Sequence, residues 1–152
     1  MILYTNKHRI PFQIDDADYE AVSQYSWYIG GNGYPTTSIG KGSTHRPIYL
    51  HAFLAGRAPD GLQNDHISRD RTDNRRSNLR VVSRTVNMRN TGRRSDNTSG
   101  VKGVGWAPRR SKWCARIRVA GRAKTLGWFD TLEAATAARI AAEVRFWDGG
   151  EP

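Results

Sequence analysis

The spacing of apolar and polar residues over the first fifty positions predicts short strands and tight turns. Ile2-Leu3-Tyr4 and Ile10-Pro11-Phe12-Gln13-Ile14 are strand-like. Asp15-Asp16-Ala17-Asp18 supplies the cap and first-turn acids of a short helix reaching about Ser26. Gly30-Gly31-Asn32-Gly33 makes a hairpin turn between Trp27-Tyr28 and Tyr34, and Gly40-Lys41-Gly42-Ser43 precedes a strand over Pro47-Ile48-Tyr49-Leu50. Residues 62–90 read as strand, long polar loop, short strand and helix. Residues 91–100 hold no large apolar side chain and read as a linker. Beyond them lie three strands, Gly103–Ala107, Trp113–Val119 and Ala123–Phe129. Asp130-Thr131-Leu132-Glu133 has capping-box spacing and opens an Ala-rich helix to about Trp147. Alanines at 134, 135, 137, 138, 141 and 142 let that helix lie close against a sheet. The expected class is α+β.

Composition narrows the function. The chain of 152 residues carries a formal charge of +10, and the excess is local: residues 1–60 net to zero, 61–130 to +12, and the rest to −2. A basic block interleaved with three Trp suits a polyanion, because each Lys or Arg on a phosphate releases counterions. The longest apolar stretches fall short of the roughly 20 residues of a membrane span, so no membrane partner is expected. One cysteine, Cys114, excludes an internal disulfide and a cysteine-built zinc site. The class implied is soluble and intracellular.

The chemically loaded stretch is Asn64-Asp65-His66-Ile67, then Asp73-Asn74-Arg75-Arg76-Ser77-Asn78-Leu79-Arg80, then Val86-Asn87-Met88-Arg89-Asn90. These three elements, in this order, resemble the HNH nuclease family, in particular its phage and intron-encoded homing branch. The resemblance implies a ββα-metal core with an Asp-His pair closing one strand, and it gives Asn78 a structural role in pinning the loop between the strands. Asn87 stands where the family name has its last His, a variant common in the homing branch. The residue chemistry agrees. His66 suits a general base, since imidazole titrates near neutral pH. Asp65 and Asn87 offer hard oxygen ligands for Mg²⁺ or Mn²⁺. Neighbours on a regular strand face opposite ways, so the strand is expected to end or bulge at Asp65-His66. His51 resembles a histidine that often precedes the motif and is read as packing or supporting the site rather than as a ligand. Arg69, Arg75, Arg76 and Arg80 are expected on phosphates.

Residues 98–147 resemble the AP2 DNA-binding domain through Asn97–Val104, Lys112–Arg118, Leu126-Gly127-Trp128-Phe129 and Glu133-Ala134-Ala135. That resemblance implies a three-stranded sheet lying in the major groove, with Arg and Trp touching DNA. The candidates are Trp106, Arg109, Arg110, Trp113, Arg116, Arg118, Arg122 and Lys124. Strict alternation sets Trp113 opposite Arg116, so core and groove readings of Trp113 both stand. Trp128 is expected in the core beneath the helix.

The reading is a metal-dependent DNA endonuclease of the HNH homing type acting on double-stranded DNA, as monomer or homodimer. Its modules are a supporting segment at 1–45, the nuclease at 46–92, a linker at 93–99 and an AP2-like module at 100–152. The expected location is the cytoplasm of a bacterial host, the protein being encoded by a phage or mobile element. The alternatives are a DNA-binding regulator with a relic nuclease motif and an RNA-binding or packaging accessory.

Overall fold

Phe12, Ile14, Val22, Trp27 and Leu50 are buried together, with Leu3, Phe53 and Leu54 packed against them. In the computed structural model, which describes residues 1–148, they form the core of a unit spanning Met1–Thr91; a second unit begins at Gly92. Strands β1 (Ile2–Tyr4) and β2 (Pro11–Gln13) pair antiparallel. A 3-10 turn at Asp16–Asp18 leads into α1 (Tyr19–Ser23), which buries Val22. Trp27 lies against Phe12 and Phe53 and donates its indole N–H to the Val22 carbonyl at 2.9 Å, so its one polar atom is satisfied in the core. Strands β3 (Tyr28–Ile29), β4 (Pro35–Ile39) and β5 (Arg46–Tyr49) form an antiparallel sheet in that order. Helix α2 (Leu50–Ala55) follows at once, anchored by Leu50.

Strands β6 (Leu62–His66) and β7 (Leu79–Ser83) pair antiparallel and lead into α3 (Arg84–Asn90), whose cap is the Ser83 hydroxyl accepting from the Val86 N–H. The 67–78 connection between them is not left to itself. Gln13 N–H donates to the Thr72 carbonyl and Asn74 N–H to the Gln13 carbonyl, each at 2.8 Å. The Arg76 N–H donates to Asp15, and its guanidinium pairs with Asp18 at 2.6 Å. The N-terminal strands therefore hold the loop that connects β6 to β7.

In the second unit β8 (Val104–Ala107), β9 (Lys112–Val119) and β10 (Arg122–Phe129) make an antiparallel sheet with β9 central. Helix α4 (Leu132–Glu143) is capped by Thr131, whose hydroxyl accepts from the Ala134 N–H. It packs through Ala135 onto Val104 and Ala115, with Val101, Trp113, Leu126, Phe129 and Leu132 around them. The α-helical hydrogen bonding stops earlier than the expected Trp147, and Val144–Asp148 continue as a wider π-type turn. Part of the polar stretch read as a linker is folded. Ser99 is buried and donates to the Val104 carbonyl at 2.7 Å, while the Asn97 amide donates to the Val101 and Val104 carbonyls. Small polar side chains make such local bonds as readily as they make linkers, so composition does not separate the two.

Gly103 has a φ of +80°, and an added Cβ would lie 2.5 Å from the Arg116 carbonyl oxygen and 2.6 Å from Arg139 Nε. Gly103→Ala is expected to destabilise the second unit by about 1–3 kcal/mol, through left-handed strain plus the clash with backbone. Chemical denaturation followed by tryptophan fluorescence reads it; an unchanged midpoint would refute this account.

Candidate active site

The ladder between β6 and β7 keeps a regular register through Asp65 opposite Arg80 and His66 opposite Leu79, and the strand stops there. There is no bulge, so Asp65 and His66 leave opposite faces of the hairpin. Asp65 is 7% exposed. Its Oδ2 accepts from Arg80 Nε at 2.9 Å, and both its oxygens accept from Asn90 Nδ2 at 3.0 Å. The same Asn90 nitrogen donates to the His66 carbonyl at 2.7 Å.

His66, 4% exposed, places Nε2 3.1 Å from Asn74 Oδ1. The Asn74 amide nitrogen donates to the Arg71 and Thr72 carbonyls, which turns its oxygen toward the imidazole. An amide oxygen only accepts, so Nε2 carries the proton and Nδ1 is the basic nitrogen. Asn74 is fully buried, and the sequence reading gave it no role. The His51 and Tyr34 rings lie 5.2 and 5.7 Å from His66, and Tyr49 stacks on His51. Burial lowers the His66 pKa from its usual 6.5, opposed by the Asn74 hydrogen bond and by Asp65, Asp70 and Asp73. Burial, and then the neighbouring His66, pushes His51 down to about 4.

Asn78 spans the loop: its Nδ2 donates to the Asp73 carbonyl at 2.7 Å and its Oδ1 accepts from the Ser68 N–H at 2.8 Å. Asn87 turns to Gln63, donating to Oε1 at 2.8 Å, and the helix residue that reaches Asp65 is Asn90. Among the described residues no three or more His, Cys, Asp or Glu side chains converge as metal ligands. The buried Asp65 carboxylate is still a hard oxygen donor of the kind a dication takes when it keeps most of its shell as water and phosphate.

The loop arginines divide. Arg69, in the turn after His66 with φ of +69°, is exposed. Arg75, Arg76 and Arg80, expected on phosphates, are paired with Asp73, Asp18 and Asp65 at 2.6 to 2.9 Å. Two of those carboxylates lie outside Arg–Asp sequence proximity, so only the fold brings them together.

In the second unit, cross-strand partners share a face. Trp113 and Trp106 are opposite one another, their rings 5.3 Å apart, on the side of Ala115 and the helix. Trp113 is thus a core residue, and Trp106 covers its edge. Lys124 pairs with Ile117 and lies over the Phe146 ring, and Arg122 pairs with Val119; both belong to the helix side and not to the open sheet face. Arg116 and Arg118 are exposed on the opposite, open face. Trp128, expected in the core, is opposite Cys114 on that open face, 42% exposed, with the Arg110 guanidinium 4.3 Å from its ring. The cause is the register irregularity between Thr125 and Gly127, which shifts alternation along β10. Arg109 lies in the exposed 3-10 turn beside Arg110.

Residues 43–89 match the family model described as HNH endonuclease, and an HNH endonuclease domain accordingly occupies that part of the chain. Over 84 residues the chain is 37% identical to an uncharacterized HNH endonuclease of Acanthamoeba polyphaga mimivirus. That alignment covers 55% of this chain and 44% of the relative, so the chain spans less than half of that protein's length. No solved structure matches the chain. HNH nucleases in general depend on a divalent metal.

The two lowered histidines fix a pH dependence. Between about pH 6.5 and 4 the unfolded chain binds protons that folded His51 refuses, so stability rises with pH across that window and falls as it is acidified. Denaturant midpoints of the protein are expected to drop from pH 7 to pH 4.5, and to drop less in His51→Phe. An equal slope in the variant would show that His51 is not the group responsible.

Proposed function

We propose that this chain is a metal-dependent DNA endonuclease of the homing type that nicks duplex DNA. The observation that carries the reading is His66: its Nε2 is committed to Asn74, and its basic Nδ1 belongs to the residue next to a buried, amide-held carboxylate. Hydrolysis of a phosphodiester needs a base for water and a positive centre for the charge that builds on phosphorus. His66 Nδ1 takes a proton from water, whose oxygen bonds to phosphorus in line as the bond to the 3′ oxygen breaks. The 3′ oxygen takes up a proton from solvent, leaving 5′-phosphate and 3′-hydroxyl ends. Asn74 stabilises the imidazolium that forms by accepting from Nε2, and burial keeps the imidazole neutral and ready beforehand. Asp65 with Asn87 would hold a Mg²⁺ or Mn²⁺, which when bound would supply Lewis-acid charge to the phosphate and the departing oxygen. One such site per chain gives one nick per encounter, and a double-strand break requires two.

The second unit would supply DNA affinity through its open sheet face. Arg116, Arg118, Arg110 and the exposed Trp128 support that reading, with Arg109 and Lys112 at its edge. The AP2-like arrangement rests on this face and on the strand–strand–strand–helix order.

Two measurements test it. Wild-type protein with Mg²⁺ or Mn²⁺ is expected to convert supercoiled plasmid to open circles, EDTA to stop it, and His66→Ala to cut at least about 10²-fold more slowly, the usual scale of a lost general base. Binding to duplex without any metal-dependent cleavage, on plasmid and on a randomised target library, would instead favour the regulator. Arg116→Ala and Arg118→Ala are each expected to flatten the salt dependence of duplex binding by about one unit of log–log slope. Slopes unchanged in both would remove the open face from the interface.

A further inference from the structure

Between His66 and the end of β7 the sequence places arginines at 69, 71, 75, 76 and 80, and their type alone does not rank them. Their partners do. Arg75, Arg76 and Arg80 are each ion-paired, whereas among the described residues no Asp or Glu lies within ion-pair distance of Arg69 or Arg71. Arg71 differs from Arg69 in being held. Its Nη1 donates to the Asn32 carbonyl at 2.6 Å, and its guanidinium lies over the Tyr34 ring at 4.8 Å. A Cβ at Gly33, where φ is +81°, would touch Nη1 at 3.4 Å, so the guanidinium rests directly against the β3–β4 turn. The Asn32 side chain in turn donates to Tyr49 Oη at 2.9 Å. The Tyr34 ring is 5.3 Å from Tyr49 and 5.7 Å from the His66 imidazole. A turn of the N-terminal segment thus seats an arginine of the β6–β7 loop, with one aromatic ring next to both the guanidinium and the imidazole.

Both anchors of Arg71 are neutral, a carbonyl dipole and the face of a ring, so they orient the positive charge without cancelling it. A guanidinium carries its N–H donors in a fixed planar fork. Nη1 is engaged by Asn32, while Nε and Nη2 hold no protein partner among the described residues. Those two nitrogens point their hydrogens the same way, along the edge that takes two oxygens of a phosphate side by side. Arg71 is exposed, so the anion for that edge comes from outside the chain.

We propose that Arg71 is a substrate-phosphate clamp. Through its Nε–Nη2 edge it binds a phosphate of the strand that His66 cuts, one flanking the scissile phosphate, and the Asn32-Gly33-Tyr34 turn holds it ready. The assignment rests on the nuclease reading for which strand is cut, and on binding alone for the rest. The side chain is ordered before the substrate arrives, so little rotamer entropy is lost on binding. A grip on a flanking phosphate is the same before and during the reaction, so its loss falls on binding and spares turnover.

The test uses the full chain. Arg71→Gln keeps a donor for the Asn32 carbonyl and removes the charge. On a mixed-sequence duplex with EDTA present, it is expected to flatten the log–log salt dependence of binding by about one unit and to raise Kd about tenfold at about 0.1 M salt. Arg71→Lys restores the charge but not the fork, so the slope should return to that of wild type while Kd stays about threefold weaker. On supercoiled plasmid with Mn²⁺, Arg71→Gln should raise the half-saturating concentration about tenfold and keep kcat within about threefold. Arg9→Ala is the control. Arg9 is also exposed over a tyrosine, 5.0 Å from the Tyr4 ring, but it lies in the β1–β2 turn, at the opposite end of that hairpin from Gln13 and the loop. Its slope and Kd should match wild type. The proposal is overturned if Arg71→Gln leaves the slope unchanged, which would make Arg71 only a pin for the loop. It is overturned equally if Arg9→Ala flattens the slope as much, if the plasmid loss lies in kcat alone, or if the wild-type protein does not bind the duplex. Circular dichroism checks that Arg71→Gln folds; if it does not, Arg71→Lys decides, and an unchanged Kd there overturns the proposal. Should the wild-type protein bind but cut nothing, the nuclease reading fails by itself, and the salt slopes still decide whether Arg71 holds a phosphate.

Discussion

The end of β6 is held by side-chain amides, and most of the first unit is arranged to allow it. Past His66 the chain leaves the β6–β7 ladder for twelve residues, where strand pairing is limited to the Gln13 bonds with Thr72 and Asn74. Asn78 closes the loop from one side, Asn74 from within, and Asn90 from the helix. Each amide both donates and accepts or donates twice, which an ionised carboxylate of the same size cannot do. The same groups that complete the backbone's hydrogen bonds also choose the His66 tautomer and aim the Asp65 carboxylate. Structure and chemistry here depend on one set of bonds.

The N-terminal strands contribute by fixing the far side of that loop. Gln13 extends its pairing to Thr72 and Asn74, and Asp15 and Asp18 receive Arg76. Asn74 is placed by a backbone bond to Gln13 before its side chain can reach His66, so the aromatic core around Trp27 and Phe12 acts on the site through one strand. This also explains why a basic loop offers fewer free charges than it has arginines. A guanidinium paired with Asp73 or Asp18 helps to hold the loop, and Arg69 remains outward. The second unit separates its roles more cleanly, with alanines and aromatics toward the helix and Arg116, Arg118 and Trp128 away from it.

Much of this was legible in the sequence. Most of the strands fall where apolar spacing and turn glycines place them, because those signals act within a few residues: Asn32-Gly33 turns the β3–β4 hairpin, while α4 is capped by Thr131, one residue past the Asp130 that the capping-box spacing implies. The Asp65-His66 pair, Asn78 and Asn87 stand out by residue type and order, and residues 43–89 match the HNH endonuclease family over that same stretch. The basic excess of residues 61–130 likewise belongs to the sequence alone.

What the sequence left undecided is which partners those residues take. Asn74 and Asn90 differ from other asparagines only through contacts made across 8 to 25 positions, and no local pattern encodes such pairings. Trp128 left its expected core position because one irregularity in β10 shifts the alternation, and a period of two carries no memory of a shift; Trp113, open to either face from its sequence, went to the core. Local propensity and side-chain chemistry thus determined the elements and the candidate groups. Only the tertiary structure, by bringing distant hydrogen-bonding groups into reach, decided which asparagine meets His66, which meets Asp65, and which arginines stay free for a polyanion.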